Sequence, residues 1–166
     1  MGILSAIEDT GIGVWVRESG SLWSYPTIIF LHSLGMSFVV GMNAVLALRL
    51  LGCAPDLPLK PMERLFPIMW WGFWVNAASG VALLIADAAT MLISPVFYIK
   101  MAFIAAALVN MVAIKRHIFG HPRPDAVRFP PKGKFLAAMS LVFWAGAITA
   151  GRLTAYLGPA VGLKGR

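Results

Sequence analysis

Four long apolar runs constrain this chain more than any other feature. They cover about residues 22–48, 65–86, 95–114 and 135–157. A helix crossing ~30 Å of hydrocarbon needs about 20 apolar residues at 1.5 Å rise, and each run is long enough. The first, Leu22 to Leu48, is interrupted only by His32 and Asn43, and the second, Leu65 to Ala86, carries no charge. The third, Pro95 to Ile114, carries one charge, Lys100, and the fourth, Phe135 to Leu157, carries one, Arg152. Pro26, Pro67 and Pro95 fall in first turns, where a missing N–H is harmless. The expected fold is an all-α integral membrane protein, a four-transmembrane-helix bundle forming one domain over residues 1–166. Composition agrees, because only 13% of residues are charged and 59% are hydrophobic. A soluble domain keeps roughly a quarter of its residues charged.

The basic residues predict an orientation. Arg49, Lys60 and Arg64 lie between spans one and two, and Lys115, Arg116, Arg123, Arg128, Lys132 and Lys134 between spans three and four. The connection "DAATMLIS" between spans two and three has no Lys or Arg. The positive-inside rule then puts both basic loops in the cytoplasm and both termini outside, as in a bacterial inner-membrane protein. A basic face opposite anionic headgroups accounts for the formal charge of +7 without nucleic acid. Residues 3–19 read as a short interfacial segment on the outer leaflet, with Gly11 and Gly13 weakening a regular helix. The Pro-rich "GHPRPDAVRFPPKGK" reads as an irregular connection. Cys53, the single cysteine, excludes an internal disulfide. Residues 1–20 lack the apolar core and small-residue site of a cleavable signal.

Depth along the spans groups three side chains. His32 lies six residues past Pro26, roughly 9 Å in, while Lys100 and Arg152 each lie five residues from a span end, about 7–8 Å in. Asp87 ends span two just above that level. Ionisable groups in spans are expensive and usually face an interior or a cavity. His32, Met36 and Asn43 share one helix face, with Tyr25 a heptad earlier. Gly72, Asn76, Gly80 and Asp87 align on span two, and Ala145, Thr149, Arg152 and Tyr156 on span four. These faces are expected inside, with Phe, Leu and Ile towards lipid.

Each residue also has a plainer reading. Lys100 and Arg152 lie near enough to the boundary to snorkel. Asn43, Asn76 and Asn110 suit interhelical hydrogen bonds, and Met36 suits packing. Trp70 and Trp71 fit an aromatic belt. His117 and His121 belong with the basic loop. His32 is the residue whose chemistry most invites a ligand, since a neutral imidazole serves a metal or haem iron, a quinone head, copper, or one interhelical hydrogen bond.

Resemblance adds to this. "WVRESGSLWSYPTIIFLHSLGMSFVVGMNAVLALRLLG", "WWGFWVNAASGVALL", "SPVFYIKM" and "AITAGRLTAYL" resemble a family of small, uncharacterised bacterial four-span membrane proteins over nearly the whole chain. That likeness implies the fold and no activity. More remotely, "FLHSLGMSFVVGM" is similar to the histidine-bearing helix of copper-resistance CopD-like proteins and related b-type cytochrome membrane subunits. That likeness covers one helix and implies a cofactor ligand at His32. Di-haem subunits pair histidines thirteen or fourteen residues apart, whereas here the paired positions are Leu46 and Phe103. His32 and His117 lie over ~20 Å apart along parallel spans, which argues against a bis-histidine haem within one protomer. Met36 shares the face of His32, so a methionine ligand opposite the imidazole must come from another helix. The second ligand otherwise comes from another subunit.

Three functions follow as expectations. The first is a small membrane subunit binding haem b or a quinone near the outer face through His32, in electron transport. Lys100 and Arg152 would meet propionates, and a periplasmic redox partner and a homo-oligomer or larger complex are implied. The second is a non-catalytic scaffold or accessory subunit with interhelical polar contacts only. The third is a metal-ion or small-solute pathway, disfavoured because no repeated half is evident. An enzyme of soluble type is not indicated: there is no nucleophile–base pair, phosphate loop or carboxylate pair, and Asp87 is alone.

Overall fold

The computed structural model describes residues 2–120 and 131–162, so His121, Arg123 and Arg128 lie outside the described residues. Every regular element described is helical. The order is α1 (Ile3–Glu8), α2 (Gly11–Glu18), α3 (Tyr25–Leu51), α4 (Leu65–Ala86), α5 (Ala88–Ile93), α6 (Pro95–Ile114) and α7 (Pro131–Gly162). A 3-10 turn, Lys60–Arg64, leads into α4, and a π-helical turn, Lys115–Phe119, extends α6. Four helices are long and apolar enough to cross a membrane, and the protein is a multi-pass helical bundle suited to a bilayer.

The span ends follow local chemistry. Pro26 and Pro95 stand in the first turns of α3 and α6. Gly52, in the left-handed conformation at φ 98°, ends α3. It brings Cys53 N–H back to the Leu48 carbonyl at 3.0 Å and its own N–H to Arg49 O at 3.1 Å. The N-terminal segment is more regular than its glycines suggest. Thr10 Oγ1 accepts the Gly13 N–H at 3.3 Å and starts α2. Gly13 is buried against the backbone of Glu8, where a side chain would not fit. Glu8 Oε1 in turn accepts the Ala89 N–H of α5 at 2.7 Å, tying α1 to the α4–α5 corner. Trp15, Leu22 and Trp23 remain exposed at this end, a composition suited to the headgroup zone.

The spans pack in the lateral order α4, α3, α7, α6, with the most extensive contacts at the α3–α4 and α6–α7 seams. At the basic end the interior is filled by Leu46, Leu50, Leu59, Phe66, Met69, Met111, Ile114 and Ile118. Phe66 and Phe119 close α4 onto α6 there, edge to face at 5.4 Å. A second buried cluster, Val39, Ala107, Trp144 and Ala147, lies midway along the bundle. Beyond Val39, towards the start of α3, the buried hydrophobic clusters stop and polar side chains take over.

One expected face is reversed. Ala145, Thr149, Arg152 and Tyr156 of α7 are exposed, and Ala137, Ser140, Trp144, Ala147 and Ala150 are buried instead. The buried row combines small residues that allow close approach with one indole large enough to fill the centre.

Candidate functional site

His32 sits on α3 beside a close approach of that helix to α4. Gly35 and Gly72 make the approach possible, since a Cβ on Gly35 would stand 2.7 Å from both Asn76 N and Gly72 O. One turn away, two hydrogen bonds link the helices reciprocally. Asn76 Nδ2 donates to the His32 carbonyl at 2.7 Å, and His32 Nδ1 lies 3.0 Å from the Asn76 carbonyl. Nδ1 is also 3.2 Å from Ser79 Oγ.

These partners decide the tautomer. A backbone carbonyl only accepts, and the Ser79 hydroxyl already donates to Val75 O at 2.7 Å. Nδ1 therefore carries the proton, and the Nε2 of a neutral ring presents its lone pair. Nε2 has no hydrogen-bond partner among the described residues. Gly80 leaves room for the ring, because a Cβ there would come within 3.1 Å of His32 Cε1.

Lys100 approaches the same level from α6. Asn43 on α3 lies opposite Ser140 on α7, whose hydroxyl donates to Asn43 Oδ1. The two helices run antiparallel, so eleven residues back along α3 and eleven on along α7 bring His32 level with Gly151. The Lys100 stem packs against that glycine, where a Cβ would be 3.6 Å from Cε and 4.0 Å from Nζ. Lys100 is half-buried and within electrostatic range of His32. Arg152, the next residue on α7, is exposed on the outer side of the helix.

The remaining candidates are spread along the bundle. Asn76 belongs to the His32 group, and Asn43 lies three turns deeper with its Nδ2 unpaired to any described residue. Trp144 Nε1, also buried, likewise lacks a partner among the described residues. Asn110 Nδ2 donates to Leu136 O at 2.9 Å and joins α6 to α7. Met36 packs against the Val39–Trp144 cluster, and Tyr25 is exposed at the start of α3. His117 is exposed at the opposite end. No group of three or more His, Cys, Asp or Glu suited to a metal occurs among the described residues.

Ser79 was not singled out by sequence reasoning, although it lies one turn from Asn76 on the same face. Gly151 was likewise not assigned to this group from the sequence. Its role against Lys100 depends on the α6–α7 register, which no single-helix pattern encodes.

The chain matches no protein-family model, no curated protein and no solved structure. The class rests on fold and site together: a four-helix, multi-pass membrane protein with an oriented imidazole between its spans.

Proposed function

We propose that this protein is a small integral membrane subunit that binds a redox cofactor through His32 Nε2, with haem b or a quinone as the cofactor class. One observation carries the reading: Nδ1 is fixed by two acceptors on α4 while Nε2 is left with a directed lone pair. Ligating histidines are commonly oriented in this way, by a hydrogen bond from the far ring nitrogen to a carbonyl. Nε2 would be the group to hold a haem iron, or would accept the hydroxyl proton of a quinol. The Lys100 ammonium suits a propionate or a quinone carbonyl. With His117 exposed at the opposite end of the spans, a second ligand to a haem iron would come from a methionine of another helix or from another subunit, the latter in line with the proposed oligomer or partner complex. The basic loops support a cytoplasmic face at the α3–α4 connection, putting His32 and both termini on the outer side of a bacterial inner membrane. Electrons would then pass to or from a periplasmic partner.

Purified protein is expected to show a reduced-minus-oxidised haem band or to release a quinone on extraction, and His32→Ala to lose it. Gly80→Ala crowds the ring by a few tenths of an ångström without touching backbone. It is expected to shift the band or weaken quinone retention while leaving thermal stability within about 1 kcal/mol. Absence of both chromophore and quinone from the wild type would end the proposal.

A second reading, a scaffold or accessory subunit, is favoured by the engagement of Asn76, Asn43 and Asn110 in interhelical bonds. It is distinguished by a His32→Ala variant that loses stability and no bound chromophore.

A further inference from the structure

At the far end of the bundle from His32 the chain builds a second, different concavity. The 3-10 turn before α4 and the π-helical turn after α6 face each other across a pocket of about 600 Å³. Its lining is Lys60, Pro61, Glu63, Arg64, Pro67 and Lys115, three cations against one carboxylate. The walls are held from beneath. Leu59 and Met62 are buried, and Phe66 packs edge to face on Phe119. Lys115 Nζ stands 5.7 Å from the centre of the Phe66 ring, which aims its ammonium back over the start of α4.

Two features of this pocket point to a ligand. Arg64 and Lys115 are both exposed, and neither forms an ion pair with a described residue. Both like charges line one pocket, and no carboxylate among the described residues lies within ion-pair distance of either, although Glu63 lines the same pocket. The pocket also lies at a fixed height: α4 carries no charge from Leu65 onward, and Pro67 and Ile68 begin its exposed apolar surface. Cations at the edge of an apolar span stand where the phosphates of a bilayer lie, and basic pockets between spans are suited to anionic headgroups. A guanidinium and an ammonium together match a phosphate, the first by its fork of donors and the second as a point charge.

We propose that this pocket is a phosphate site, bound by Arg64, Lys115 and Lys60, and that its occupant is the phosphodiester of an acidic phospholipid whose acyl chains lie along the exposed surface of α4. Ile68, Trp71 and Val75 line an apolar groove of about 290 Å³ on that same helix, with Leu31, Leu34 and Phe38 of α3 across it. The site is independent of the cofactor reading, being built from other residues at the other end of the spans.

The test is native mass spectrometry of the full chain in detergent, titrated separately with phosphatidylglycerol, phosphatidylcholine and inorganic phosphate. Each surface cation contributes about a fivefold factor in affinity, so Arg64→Gln with Lys115→Gln is expected to weaken phosphatidylglycerol binding by roughly 25-fold. Lys115→Arg is expected to keep it. The charge-matched control, Lys132→Gln with Lys134→Gln, changes exposed residues at the start of α7 and is expected to leave binding unchanged. Equal retention of phosphatidylcholine, or equal loss in the control pair, would overturn the proposal in favour of a diffuse basic surface. Displacement of phosphatidylglycerol by millimolar inorganic phosphate would overturn the lipid assignment and leave a soluble phosphate as the occupant.

Discussion

Replacing Gly35 by alanine is expected to destabilise the bundle by about 3 kcal/mol, at the upper end of the usual range for overpacking. The added methyl would meet backbone on the facing helix, 2.7 Å from Asn76 N and 2.7 Å from Gly72 O, and 3.1 Å from Asn76 Cβ. A backbone cannot swing aside as a side chain can, so α3 and α4 must separate. Separation stretches the His32–Asn76 pair one turn away, removing two hydrogen bonds from a helix seam whose association depends on close packing. The gain in helix propensity on Gly→Ala, about 1 kcal/mol, is too small to offset this. Gly41 supplies the control on the same helix: nothing lies within 4 Å of its added Cβ, so Gly41→Ala is expected to be neutral or mildly stabilising. Gly146 is intermediate, because its new methyl would meet the Phe103 ring, a side chain and not the backbone of the facing helix. Thermal melting of the three variants in one detergent orders them Gly35 < Gly146 < Gly41. A Gly35→Ala protein as stable as Gly41→Ala would show that α3 and α4 do not cross at this contact.

The same contact explains what the amino-acid pattern does and does not convey. Span positions were legible because bilayer thickness sets a length that few other constraints imitate, and α4 begins and ends at the expected Leu65 and Ala86. Gly72, Asn76 and Gly80 were legible as one face, since charge-free α4 has few polar or small residues to align. The α7 face was not. Ala137, Ala138, Ala145, Gly146, Ala147, Ala150 and Gly151 put small residues all round that helix, so no stripe distinguishes inside from outside. Its orientation is chosen by partners instead, with Ser140 meeting Asn43 and Gly146 receiving Phe103. Arg152 follows from that choice and turns outward, while its neighbour Gly151 turns in. Depth was easier to read than direction, because rise per residue is nearly constant in every helix and rotation depends on the neighbour. His32 and Lys100 could therefore be placed at one level from the sequence, but the acceptors that fix the imidazole proton could not.

Arg49 provides the second large effect, and it separates two roles that loop charges play. In the sequence it counts simply as one basic residue of the α3–α4 connection. In the fold it is buried, 8% exposed, and its Nε donates to the Leu57 carbonyl at 2.5 Å. The bond holds the connection back across the end of α3, where a cation also complements the helix dipole. Leu59, two residues on, is fully buried in the basic-end core, and the 3-10 turn that starts α4 follows it. Arg49→Leu is expected to cost about 2–3 kcal/mol, the range for losing a charge-assisted hydrogen bond at a desolvated site. Arg116→Leu removes the same formal charge from an exposed position and is expected to stay within about 0.5 kcal/mol of wild type. Detergent-resistant melting of the two variants is the measurement, with a reporter fusion confirming that both insert in one orientation. Equal stability of the two would mean that Arg49 acts only through its charge, as positive-inside counting treats it, and that the connection holds its place without the guanidinium.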